Sequence, residues 1–437
     1  MKFSHIILFF AALLFVSCSE DYLLLENPNQ LDSENFFKSE QDILTATNGV
    51  YADLQTFPGN LQLYMSEGRS SNYFSGGSNA QRDLVDISLF NVRSEQRTIE
   101  TVWNNAYRLL SKANKVLSVI DDIEFSTPEL KLQSEAEVRA LRAYTYFELV
   151  RVFGKVPLID RLISPEEALE IGRSEVVDIY RFIEEDLLFA SENLPTVYPT
   201  DLKGKITRQA TIGLRAKLYV TWAQFPIRDR AKIDLAIPLL ESLTSGALPM
   251  NWSPVFEDIF KQENDNQFCL FEVQYVSGPA GLGALFPSEF LTSSMREFPF
   301  SGGIPRISPS FNLLADFDIE NDLRFEATFD TSFVDNFFQT VNIEVITKWF
   351  EPGLSLLSRG DWPHNYPVLR PANIYLLLAE ALMVKNDAVT TEAVAALNRT
   401  RERANISLLN TSTSKEEFLT ELQAEYRREF VGEGHFW

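Results

Sequence analysis

The sequence predicts a mainly α-helical protein, with helices in consecutive pairs and one long irregular insertion. Three observations carry that expectation. Nine stretches repeat apolar residues at helical spacing. Alanines recur where such helices would touch, and most of the remaining Pro, Gly, Trp and Phe gather in residues 249–367. The 437 residues are 45% hydrophobic and 12% aromatic, enough for a large core.

The first helix is expected over residues 39–55, where Ser39 can cap Glu40-Gln41-Asp42 and Ile43, Ala46, Val50 and Leu54 share a face. A second covers about 98–121, with Val102, Ala106, Leu109, Leu110, Ala113 and Leu117 on one side. The third, 128–153, mixes Ala136, Ala140 and Ala143 with Tyr144, Phe147 and Leu149, and Gly154 and Pro157 end it. Arg139, Arg142 and Glu148 sit among its apolar residues and read as ties to other helices. Six more helices are expected at 174–194, 207–225, 229–245, 371–385, 391–404 and 415–430. Alanines such as Ala372, Ala379, Ala381, Ala393, Ala395 and Ala396 would let neighbouring helices approach, which resembles tetratricopeptide-like stacking into an α–α superhelix. Residues 64–91 and 249–367 break the pattern and read as loops, with short strands at 268–276 and 343–350. A helical scaffold carrying such loops offers them as a recognition surface.

The N-terminus reads as an export segment. Lys2 precedes an apolar run from Ile6 to Val16 that is too short for a permanent membrane span. Phe15-Val16-Ser17-Cys18 resembles the bacterial lipobox, so residues 1–17 are expected to be a lipoprotein signal and Cys18 the lipidation site, carrying palmitate-like acyl chains. Each buried methylene contributes about 0.8 kcal/mol, so several chains on one residue anchor a protein at a membrane surface. Residues 18–35 then form a tether. Residues 36–437 form one domain, its scaffold at about 36–248 and 367–437 and its insertion at about 249–366.

A formal net charge of −22 argues against a nucleic-acid partner or an anionic lipid surface, which need clustered Lys and Arg. With Cys18 lipidated, Cys269 has no partner for a disulfide and reads as a buried thiol. Enzyme signatures are missing from the sequence: there is no nucleophile elbow, Walker loop or dinucleotide fingerprint, and His364 and His435 are the histidines outside the signal. No catalytic residue, cofactor or metal is expected. The alternation Asp316, Asp318, Glu320, Asp322 has Asn321 and Ala327 where a calcium loop needs Gly and a bidentate acid, so it reads as a solvated acidic turn.

Residues 137–158, from Glu137-Val138-Arg139 through Tyr144-Thr145-Tyr146-Phe147 to Gly154-Lys155-Val156-Pro157, closely resemble the signature helix of the SusD/RagB family of surface nutrient-binding lipoproteins. Trp103-Asn104-Asn105-Ala106-Tyr107, Leu369-Arg370-Pro371, Leu397-Asn398-Arg399-Thr400-Arg401 and Glu425-Tyr426-Arg427-Arg428-Glu429-Phe430 follow the family's order. The resemblance implies a tetratricopeptide-like scaffold with a large insertion, a place on the outer face of the outer membrane, and an oligosaccharide ligand bound without hydrolysis. It also implies a SusC-like TonB-dependent outer-membrane β-barrel as partner. Family members usually continue beyond the point matching Trp437, which leaves a truncation there open, and Ser71 stands where they more often have Asp.

Sugar recognition needs flat apolar rings beside fork-shaped polar groups. One loop region supplies Tyr64, Arg69, Asn72, Tyr73, Asn79, Arg82 and Asp83. The other supplies Arg296, Arg306, Trp349, Trp362, His364 and Tyr366. The same aromatics serve equally to anchor long loops. Alternatives to glycan capture are a peptide-binding member of the family, a surface glycoside hydrolase, and a helical scaffold that binds protein alone. For the hydrolase, 61 acids allow a carboxylate pair to be nominated anywhere, and sequence spacing does not choose one.

Overall fold

The computed structural model describes residues 36–74, 82–248, 250–292, 294–296, 298 and 306–435. Nine long helices carry the fold: α1 (Glu40–Leu54), α2 (Arg97–Val119), α3 (Pro128–Phe153), α4 (Val176–Asn193), α5 (Arg208–Trp222), α6 (Lys232–Thr244), α7 (Pro371–Asn386), α8 (Thr391–Ala404) and α9 (Lys415–Glu429). Each falls on a stretch marked by apolar periodicity. Their starts are chemically specified. The Asp42 carboxylate accepts from the Ser39 backbone at 2.9 Å and its hydroxyl at 2.7 Å. The hydroxyls of Thr127, Thr207, Thr390 and Ser414 accept from backbone N–H groups three residues on. Pro128 and Pro371 fill first-turn positions whose N–H would have no helical partner.

Each long helix packs on the next in chain order from α1 to α6. The chain then leaves the scaffold, and when it returns α7 packs on both α6 and α5, so the stack continues as though the insertion were absent. Helix α8 pairs with α7, and α9 touches both. Gly213 of α5 shows how close this contact is: a Cβ there would lie 2.6 Å from Leu369 Cδ2 and 2.9 Å from Ile374 Cδ1.

Helix α3 is buried on every side over its C-terminal two-thirds, so its charged residues need internal partners. Arg142 donates to both oxygens of Asp186 on α4 at 2.8 and 2.9 Å and to Asn114 on α2 at 2.8 Å. Arg139 reaches the same carboxylate at 3.4 Å. Glu148 departs from the expected inter-helix role, since it pairs at 3.0 Å with Arg151 one turn along its own helix.

Besides shorter helical turns, the described residues contain eight short strands: β1 (Tyr73–Phe74), β2 (Phe271–Val273), β3 (Ser308–Pro309), β4 (Phe329–Asp330), β5 (Phe333–Val334), β6 (Thr340–Val341), β7 (Val345–Ile346) and β8 (Tyr366–Leu369). They form four antiparallel pairs, β1–β3, β2–β8, β4–β7 and β5–β6. The strands expected at 268–276 and 343–350 are present as the shorter β2 and β7. Residues 64–91 are less irregular than expected, since they continue a π-helix (Pro58–Ser66) and contain the helix Arg82–Ser88.

A buried charge network fastens the insertion to the scaffold. Arg324 donates to Asp322 at 2.8 Å and to Glu425 and Glu429 of α9 at 2.6 and 3.1 Å, all with fully buried side chains. Arg370, at the start of α7, binds Glu429 and Glu433, Arg403 of α8 also binds Glu429, and Lys348 binds Glu433. Asp322 therefore corrects the solvated-turn expectation, because its carboxylate is committed to Arg324 inside the protein. Asp316, half-buried, pairs with Arg427 at 3.0 Å.

Candidate functional site

The loop aromatics expected to stack on sugar are internal. Trp349 is 2% exposed, stacked between Phe290 at 5.5 Å and Tyr366 at 6.5 Å, with Phe260 and Phe286 against its edges. Trp362 is 1% exposed beside Phe298 and Phe350, and its indole N–H donates to the Ser288 hydroxyl at 2.7 Å. His364 is buried and paired with Glu351 at 2.9 Å. Tyr73 accepts from the Gly432 N–H at 2.6 Å while Tyr366 donates to the Gly432 carbonyl at 3.2 Å. Gly432 has φ +77 and a Cβ there would meet the Trp349 ring at 2.9 Å, so the two tyrosines clamp a position that tolerates no side chain. Rings held in this way offer no face to a ligand, and their role is to seat the insertion.

The polar candidates divide. Tyr64 and Arg306, far apart in sequence, meet at Glu289: the tyrosine hydroxyl donates to one carboxylate oxygen, and Arg306 lies 3.0 Å from it. Burial and the Glu289 charge hold the Tyr64 phenol well above its ordinary range. Asn72 is buried and accepts from Arg427 at 2.8 Å, and Arg69 is partly buried and donates to the Met65 carbonyl. Arg82 is exposed, 3.8 Å from Asp86, and the Asp83 carbonyl accepts from Gln96 at 2.9 Å. Asn79 and Cys18 lie outside the described residues. Arg296 stands apart from the other candidates, exposed, with its guanidinium 4.2 Å over the ring of Phe338.

Outward-facing rings come from residues that sequence reasoning passed over. Phe337, Phe338, Phe311, Phe90 and Phe74 are 82%, 70%, 86%, 62% and 47% exposed. The signal for the first pair was available: Asp335-Asn336 marks a turn between the short strands β5 and β6, and a turn displays its following residues.

A concavity of about 760 Å³ opens between α3, α4, α5, α7 and α9. Lys217 lines it with its amine 3.2 Å from His435 Nδ1, and burial lowers that amine to about 7 and His435 well below its usual value. Glu380 faces the same space, accepts from Gln224 and from Tyr426 at 3.3 Å, and is raised by burial.

Residues 21–220 match a SusD-like family model described as starch-binding and associating with the outer membrane, and residues 343–437 match the SusD family model. A SusD-like protein of Bacteroides ovatus is 25% identical, covering 98% of this chain and 81% of its own. A SusD homolog from Bacteroides thetaiotaomicron superposes with a TM-score of 0.82 at 20% identity, over 93% of this chain and 86% of that one. A laminarin-binding SusD-like protein does so at 0.76 and 21% identity, over 91% and 90%. Among the described residues no helix is long and apolar enough to cross a membrane. Matched by the family's sequence models through α1 to α5 and again from β7 to the last helix, the chain belongs to the SusD/RagB family.

Proposed function

We propose that this protein is a lipid-anchored cell-surface protein that captures oligosaccharide without cleaving it and passes it to a TonB-dependent outer-membrane β-barrel. The observation that carries the reading is a loop layer fixed to a helical scaffold by the buried ion pairs Arg324–Glu425 and Lys348–Glu433, with aromatic rings left facing outward at its tips. Such a layer supplies the flat apolar surfaces that sugar rings need. The laminarin-binding relative of the same fold supports a glycan as ligand. Cys18 would hold the protein at the membrane, and residues 18–35 would give it reach.

The test uses the chain beginning after Cys18, titrated with a panel of oligosaccharides and peptides while reducing ends are assayed. Saturable binding to one glycan class without new reducing ends is expected. New reducing ends would make the protein a hydrolase, and binding to peptides alone would make the nutrient a peptide. For anchoring, Cys18→Ala in the full chain should abolish acyl labelling and release the protein from membranes, and retention would overturn the anchor.

A further inference from the structure

Strands β5 and β6 are joined by a tight hairpin. Asp335 N–H donates to the Gln339 carbonyl at 2.9 Å, and the Asp335 carboxylate accepts from Phe337 and Gln339 N–H at 2.9 and 2.8 Å. Phe338 closes the turn with its N–H on the Asp335 carbonyl at 3.0 Å and takes φ +62. In such a turn the left-handed position favours glycine, because a Cβ there crowds the backbone. A bulky aromatic makes the backbone conformation less favourable, and here burial gives nothing back, since the ring is 70% exposed and that of its neighbour Phe337 82%.

The Phe338 ring instead carries the Arg296 guanidinium at 4.2 Å, and the Arg296 N–H is fixed to the hairpin through the Val334 carbonyl at 3.0 Å. A guanidinium over a ring face is attracted by the ring's quadrupole and keeps N–H donors that the ring does not use. Arg296 forms no ion pair among the described residues. The hairpin therefore exposes two neighbouring phenyl side chains, with a guanidinium over one of them.

We infer that Phe337, Phe338 and Arg296 form a stacking platform for a pyranose unit within a glycan chain. The inference rests on the glycan-capture reading above and gives it a location. The C–H face of the sugar lies on phenyl, and its hydroxyls or acidic substituents accept from the guanidinium. Rings this exposed make a surface and not a pocket, so the platform grips units along a chain in preference to a chain end.

The experiment turns on Phe338→Gly. Glycine removes the ring and also relieves the left-handed backbone, so its melting temperature should stay level or rise while affinity falls about tenfold. Laminarin and sets of neutral and uronate-containing oligosaccharides are titrated by calorimetry into wild type, Phe338→Gly, Phe337→Ala and Arg296→Ala. Leu169→Ala, which removes an exposed apolar side chain of the scaffold, serves as control and should bind as wild type does. Weakened binding in all three hairpin variants, with melting temperatures level or raised, supports the platform. Glycan binding that survives all three overturns the platform and leaves the capture reading standing. A wild type that binds no glycan, or peptides alone, overturns both.

Discussion

Arg324 in the inserted region and Glu425 on α9 form an ion pair at 2.6 Å with neither side chain exposed. Burial alone would raise the Glu425 carboxyl, but the Arg324 and Arg428 guanidiniums bring it below its ordinary value. The pair is the centre of the network that joins insertion to scaffold, and it is expensive to break from one side because the remaining charge stays buried.

Arg324→Ala should therefore destabilise the protein by about 3–5 kcal/mol. Urea unfolding measures it directly. A loss below about 1 kcal/mol would mean that water enters and solvates the orphaned Glu425, and that the network is not what seats the insertion.

Trp349→Ala should act on stability and not on recognition. Removing a ring packed on four others is expected to cost about 3–5 kcal/mol, whereas Trp349→Phe should recover much of it. Glycan affinity per folded molecule, measured well below the melting temperature, should be unchanged in Trp349→Phe. A selective loss of affinity would return Trp349 to the binding surface.

Glu67 supplies a pH prediction. Its side chain is fully buried, and burial raises its carboxyl to about 8, against a favourable hydrogen bond from the Gly434 N–H at 2.7 Å. The folded protein thus keeps this proton while the unfolded chain, with an ordinary value of 4.5, gives it up. The stability from holding it is complete below 4.5 and is lost as pH rises to about 8, with a limiting slope of about 1.4 kcal/mol per pH unit. Denaturation across that window should show Glu67→Gln with a flatter profile than wild type and a growing relative advantage toward pH 8.

Gly213→Ala should cost about 1–3 kcal/mol, because the methyl would enter the contact of α5 with Leu369 and Ile374. Thermal unfolding reads the loss. An unchanged midpoint would show that α7 can shift away from α5 without penalty.

The helices were legible because their periodicity is local. Ile43, Val50 and Leu54 share a face whatever they pack against, and Ser39, Thr127 and Ser414 cap from within a single turn. Exposure of the loop aromatics was not legible in the same way. Trp349, Trp362 and Tyr366 carry the composition of a sugar site, but composition does not say which side of a loop faces water. The structure buries those three and exposes Phe337 and Phe338.

Sequence alone therefore determined the run of nine helices, the place where the stack is interrupted and the family signature on α3, all set by residues within a few turns of one another. Tertiary structure decided the rest. It turned Asp322 and Arg324 from an apparent surface turn into a buried tie, joined Tyr64 and Arg306 through Glu289, and sent the tryptophans inward and the hairpin phenylalanines outward. Those outcomes depend on partners from tens to more than two hundred residues away, and burial of a side chain is a property of the assembled layers and not of its neighbours in the chain.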